Sequence, residues 1–209
     1  MLLGGHEIAR LISEGVPARF KIDGTQEEKD LKLGDNEKGL HLYPLINSID
    51  ENAIIEGASF DLRLGGVFLH EPTKYRRLLI NSRNTGKYDP LKTRTIGDVS
   101  DLYILEPERY YLASTIESVN LPLYLLGRLV SRTTCFRSGL QVLCSDINPN
   151  YFGTLTIGLK NLTNTSLIIQ RGFRIVSIEF YIIQGKSNPY VGNWQGGKVS
   201  TEGEFDPSR

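Results

Sequence analysis

The sequence predicts a mostly β protein, a barrel, sandwich or jelly roll, preceded by one short helix. Three observations predict it. Beyond residue 40 the apolar residues come in short runs. The segment from Phe60 to Leu64 alternates apolar and polar with period two. Gly, Pro or Asn interrupts the runs about every ten residues, the spacing of turns in an all-β domain.

Each element follows in order. Residues 6–14 read as a helix, with Ile8, Leu11 and Ile12 on one face and Gly15 as its stop. Residues 16–39 are polar, with Glu27, Glu28, Lys29, Asp30 and Lys32 close together, and are expected as a surface insertion. Strands are expected at 60–64, ending on Gly65 and Gly66, and at 103–105, ending on Glu106 and Pro107. Six more are expected at 110–114, 125–130, 140–144, 154–159, 167–169 and 175–183. Residues 188–209 are rich in Gly and polar residues and read as a tail that orders on meeting something. The whole, 1–209, is read as a single domain.

Composition narrows the function. Lys plus Arg number 24 and Asp plus Glu number 24. That balance argues against coating nucleic acid, which needs a basic surplus to displace counterions. Cys135 and Cys144 form no C-x-x-C pair, which suits an intracellular, cytoplasmic protein without a disulfide framework. No apolar run approaches the roughly 20 residues of a membrane span. Glu7 and Arg10 interrupt the opening segment, so no signal peptide is expected.

Two familiar chemistries are set aside. A zinc deaminase needs a His/Cys/Cys site with a nearby Glu. His6, His41, His70 and two separated cysteines do not supply it, so no metal ligands are assigned and any deaminase here works without zinc. The segment from Gly192 to Lys198 nearly matches a phosphate-binding loop, but Val199 stands where Ser or Thr belongs and no helix follows. Its glycines and Lys198 still suit an approach to phosphate from a tail.

The segment 131–161 carries most of the chemistry. Arg132, Thr133, Thr134 and Arg137 put two guanidiniums and two hydroxyls within six residues, a composition suited to phosphate oxygens. A surface turn capped by Thr133, with both arginines solvated, has the same composition.

The order of motifs resembles the dCTP deaminase and dUTPase superfamily, the deaminases above all. GASFDLRLG at 57–65, ILEPERYYLASTIESVNLP at 104–122 and RTTCFRSG at 132–139 resemble family segments. So do INPNYFG at 147–153, RGFRIVSIEF at 171–180 and YVGNWQG at 190–196. The resemblance implies a distorted β-barrel or jelly roll, the dUTPase-like β-clip. It further implies a homotrimer with active sites between subunits, acting on deoxynucleoside triphosphates with Mg²⁺. On matching positions Arg132, Thr133 and Thr134 would hold phosphates, and Arg137, with Thr133, would organise the reaction centre. Asn148 would meet the deoxyribose. Tyr190, Trp194 and Gln195 would close over the nucleotide as a lid.

The departures from the family pattern concern catalysis. The water-activating Glu should stand five residues past Gly153, and Gly158 is there. A positioned acid–base group is worth ~10²–10⁴-fold, and glycine offers none. The Asp that serves dUTPases as base is Asn148, which cannot accept a proton from water. The lid Lys is Asn193, its last Gln is Gly197, and the Gln of a further motif is Ser177. Gly158 itself could mark a bulge or a close approach. A shifted register would bring Asp146 toward the pocket as a substitute carboxylate. The expectation is a nucleotide-binding relative of dCTP deaminase with impaired deamination. The alternatives are a non-catalytic regulatory homologue, a dUTPase-like diphosphatase and a structural barrel with a vestigial pocket.

Overall fold

The computed structural model describes residues 1–17, 34–35, 41–51, 53–70, 76–79, 82–200 and 206–207. Its centre is one curled antiparallel sheet, a half-barrel. Seven strands form its path: β1 (Ser59–His70), β2 (Tyr110–Asn120), β3 (Leu125–Ser131), β4 (Leu140–Leu143), β5 (Asp146–Ile147), β6 (Phe152–Asn161) and β7 (Arg174–Ile182). They run in the order β4-β6-β2-β1-β7-β3-β5. All eight expected strands are present, the other two being Val99–Leu105 and Leu167–Gln170, which pair with each other.

Alternation builds the core. Along β2, Tyr111, Ala113, Thr115, Glu117 and Val119 are buried while the residues between them are half-buried. Phe60, Leu62 and Leu64 of β1 meet Ile178, Val176 and Phe180 of β7 in the same core. The N-terminal helix, Gly5–Glu14, buries Ile8 and Leu11 against it. Leu3 N–H donates to the Phe180 carbonyl at 2.9 Å, which fixes the start of the chain on β7.

β1 runs straight through Gly65 and Gly66 instead of stopping there. A Cβ on Gly65 would lie 2.9 Å from the Thr115 carbonyl oxygen. Glycine permits this close crossing, where the pairing of β1 with β2 slips between Ala113 and Thr115.

Most of the polar insertion expected at 16–39 lies outside the described residues. Its ends, Val16–Pro17 and Gly34–Asp35, both pair with His41–Tyr43. The tail meets its own chain: residues 188–200 pack beside 148–156, and Asp206–Pro207 pairs with Ser82–Asn84. No helix among the described residues is long and apolar enough to cross a membrane.

Candidate functional site

A cleft of about 470 Å³ opens where β2, β5 and β6 meet the tail. β2 contributes Tyr110 and Leu112, β5 contributes Asp146 and Ile147, and β6 contributes Leu155 and Thr156. Asn148 follows β5 along the wall, and the tail adds Tyr190, Trp194 and Lys198. Arg83, Asn148 and tail residues from Asn188 to Trp194 enclose an adjoining pocket of about 400 Å³.

Backbone contacts seat the tail. Tyr190 N–H donates to the Pro149 carbonyl at 2.7 Å, and Gly196 N–H to the Phe152 carbonyl at 2.9 Å. Gln195 donates through Nε2 to the Asn150 carbonyl at 2.7 Å and accepts from Phe152 N–H at 3.0 Å. It pins the tail and does not line the cleft. Gly153 has φ 122°, and a Cβ on it would strike the Gly196 carbonyl carbon at 2.6 Å. Only glycine lets the tail lie so close. The guanidinium of Arg83 sits 5.3 Å from the Trp194 ring, a cation–π contact on the same segment.

The arginine and threonine cluster lies elsewhere. Thr133–Arg137 is a single helical turn after β3, and its N-cap is Arg132, with no side-chain cap. Thr133, Thr134 and Arg137 are exposed, and neither they nor Arg132 lines the cleft. Arg132 is half-buried rather than free in solvent. Its Nη1 ion-pairs with Asp61, whose side chain is fully buried. Ser177 Oγ donates to the other Asp61 oxygen at 2.7 Å, and Arg174 approaches at 3.5 Å. The capped surface turn with two solvated arginines is therefore not what forms. β1 and β7 place Asp61 and Ser177 as Cα partners, so the cluster follows from register.

A second buried pair lies farther along β1. Arg63 Nε donates to the fully buried Glu117, which also accepts from the Arg63 backbone N–H at 2.8 Å. Arg63 reaches Asp50 and the Ser48 carbonyl as well. Asp61 and Glu117 are thus absorbed by arginines.

Gly158 is a continuous part of β6, opposite Leu112 on β2 and Leu143 on β4. It is a close approach rather than a bulge, and what approaches is the Tyr110 side chain. Among the described residues Asp146 is the only acidic one lining the cleft, and it is exposed. Sequence reasoning missed Tyr88 and Tyr110. Burial raises both phenol pKa values, that of Tyr110 further through the nearby Tyr88, while Arg76 lowers each, so both are protonated donors at neutral pH. Burial also holds Tyr151 up, helped by Tyr190 beside it. The alternation of β2 puts Tyr110 on one face with Leu112. No sequence signal says that this face is the cleft.

Among the described residues no three of His, Cys, Asp and Glu cluster as metal ligands. Among the described residues the cleft is lined by one carboxylate, that of Asp146.

A family model described as dCTP deaminase-like matches residues 35–183. The chain belongs to the dCTP deaminase-like family. A dUMP-forming dCTP deaminase of Dictyoglomus turgidum is 30% identical over 158 residues, 74% of this chain and 78% of that one. A dCTP deaminase of Thermococcus kodakarensis is 32% identical over 155 residues, 74% of this chain and 86% of that one. The crystal structure of 2'-deoxycytidine 5'-triphosphate deaminase from Agrobacterium tumefaciens shares the fold, with TM-score 0.54 at 16% identity. The match covers 87% of this chain and 48% of that one, so the chain spans about half of that protein's length. The dCTP deaminase-like match includes Arg132, Arg137, Asp146, Asn148 and Gly158 but ends before Tyr190, Trp194 and Gln195. The tail wall of the cleft is outside the matched region.

Proposed function

We propose that this chain binds a deoxynucleoside triphosphate with its Mg²⁺ in the cleft of β2, β5, β6 and the tail, and that it deaminates dCTP poorly or not at all. The observation that carries this reading is the wall itself. It presents Asn148, Tyr190, Trp194 and Lys198 for a nucleotide, and at Gly158 it presents a phenol where the family resemblance expects a carboxylate. A neutral phenol donates and accepts hydrogen bonds but does not take a proton from water near pH 7.

Thr133, Thr134 and Arg137 complete the site from a neighbouring copy. They are exposed, they lie off the cleft of their own chain, and Phe136 between them is 60% exposed. A trimer with sites between subunits, as the resemblance implies, uses such a turn in trans. Arg132 belongs with them as the residue that holds the turn to β1 through Asp61. A cytoplasmic setting agrees with two free thiols.

A second reading has one observation in its favour. Asp146 lines the same cleft with an accessible carboxylate, so it could serve as the base of a slow deaminase or a dUTPase-like diphosphatase.

The experiment incubates concentrated protein with dCTP and, separately, dUTP in Mg²⁺, and resolves the nucleotides by chromatography beside a binding titration. Arg137→Ala is the matched control, because Arg132→Ala would also strip a partner from buried Asp61. Saturable binding without product, weakened in Arg137→Ala, is expected. Product formation that Asp146→Asn abolishes would replace the first reading with the second. No binding of either nucleotide would overturn both.

A further inference from the structure

The face of β6 that carries Thr156 and Lys160 should leave Gly158 equally half-buried, yet Gly158 is buried. Tyr110 covers it. A Cβ built on Gly158 would lie 2.7 Å from Tyr110 Oη and 3.1 Å from Tyr110 Cε2. It would also lie 3.1 Å from Leu143 Cβ, and that atom cannot retreat without moving β4. Position 158 is therefore squeezed from two sides, and its side-chain volume already belongs to the Tyr110 ring. Register explains why. Leu112 is the direct partner of Gly158, so Tyr110, two residues before it on the same face, is the diagonal neighbour within reach of an aromatic side chain.

The surroundings fix this phenol in the cleft. Tyr88 also lines the cleft and sits near enough to Tyr110 to influence it electrostatically. Tyr88 is itself held edge-on against His70, with ring centroids 4.9 Å apart, and His70 Nε2 accepts from Arg76 Nε at 2.9 Å. The neighbouring cleft residues Leu112, Leu129, Tyr151 and Leu155 are apolar or aromatic, a lining suited to a flat heterocycle.

We propose that Tyr110 is a specificity-determining residue of the cleft: its ring fills the volume that a side chain at position 158 would need, and its hydroxyl meets the polar edge of a pyrimidine base. The proposal rests on the nucleotide reading above and names the group that reads the base. A hydroxyl donates to a carbonyl and accepts from an amino group, so it can engage uracil or cytosine with unequal strength. A carboxylate introduced at position 158 would have to displace the Tyr110 ring and crowd Leu143 Cβ.

The test has two arms. In the first, dCTP and dUTP are titrated with Mg²⁺ into the wild-type protein and Tyr110→Phe. Tyr110→Phe should keep its melting temperature, bind at least one nucleotide about three- to tenfold more weakly, the loss of one neutral hydrogen bond, and alter the ratio of the two affinities. In the second, thermal unfolding is measured for Gly158→Ala, Tyr110→Ala and the double variant. Gly158→Ala should lower the melting temperature of the wild-type background and cost far less in the Tyr110→Ala background. If the wild type binds and Tyr110→Phe binds equally well with the same preference, the hydroxyl does not read the base. If Gly158→Ala costs the same in both backgrounds, the two positions do not share volume. If the wild type binds neither nucleotide, the nucleotide reading fails and the base contact with it, while the unfolding cycle still decides the packing.

Discussion

On β1 and the adjoining β2, two carboxylates are fully buried, and each is met by an arginine: Asp61 by Arg132 and Glu117 by Arg63. In the cleft between β2, β5 and β6 the one carboxylate among the described residues, Asp146, is exposed, and phenols occupy the wall. The first region spends its charges on holding strands and a turn in register. The second has few charges and many surfaces. Resemblance to an enzyme family and departure from it therefore have separate physical causes here. Asp61, Arg63 and Glu117 are demanded by packing, because a buried charge must be paired. Gly158, where the chain departs from the family pattern, answers to the Tyr110 ring and the Leu143 Cβ packed against it.

The largest effect is expected from removing a buried carboxylate. Glu117→Ala leaves the buried Arg63 guanidinium with Asp50 and the Ser48 carbonyl but without its buried carboxylate, and deletion of one partner of a buried pair costs about 3–5 kcal/mol. Urea unfolding should show a loss of that size in Glu117→Ala and a smaller one in Glu117→Gln, which keeps a hydrogen-bond acceptor. A loss under about 1 kcal/mol would place Glu117 outside the structural framework.

The framework region was the legible one. Period-two alternation marked Phe60, Leu62 and Leu64 as core, and the helix face of Ile8 and Leu11 faces inward as expected. Strand ends were less legible. Gly65 and Gly66 look like a stop in sequence, and only the slip of β1 against β2 reveals a crossing that needs glycine. At the site, Asp146, Asn148, Tyr190 and Trp194 do share one cleft, whereas Arg132, Thr133, Thr134 and Arg137 lie off it. A run of neighbouring residues in sequence does not say which of them will face the same cleft. Tyr88 and Tyr110 were invisible because a contact between diagonal neighbours depends on strand pairing. Short strands such as Ser82–Asn84 and Tyr88–Pro90 carry too few residues for any period to show.

Lys198 gives a smaller test of the cleft side. It is exposed on the tail and lines the cleft, so it suits phosphate rather than packing. Lys198→Ala should leave the melting temperature unchanged and weaken triphosphate binding by about three- to tenfold, the effect of one solvent-screened charge worth roughly 1 kcal/mol. Binding should also fall with added salt more steeply in the wild type than in the variant. An unchanged affinity would turn this lysine away from the triphosphate and narrow the site to Asn148, Tyr190 and Trp194.

The smallest expected effect separates the two regions by pH. Burial raises the pKa of Tyr110 and Tyr88, so the folded protein holds these protons more tightly than the unfolded chain. Above about pH 10, where a free phenol ionises, the unfolded chain loses protons that the folded one keeps. The sign is then fixed: this stabilisation is whole below the unfolded pKa and is lost as pH rises through the higher folded value. Unfolding measured from pH 6 to 9 should show no contribution from either ring, and stability should decline beyond about pH 10. In Tyr110→Phe the decline should be shallower, since one of the titrating rings has gone, although Tyr103, Tyr111 and Tyr151 still contribute with the same sign. An identical slope in Tyr110→Phe would mean that its ring is as open to water in the folded protein as in the unfolded one. That would take Tyr110 off Gly158, and with it the physical difference between a cleft closed by a phenol and one merely lacking a carboxylate.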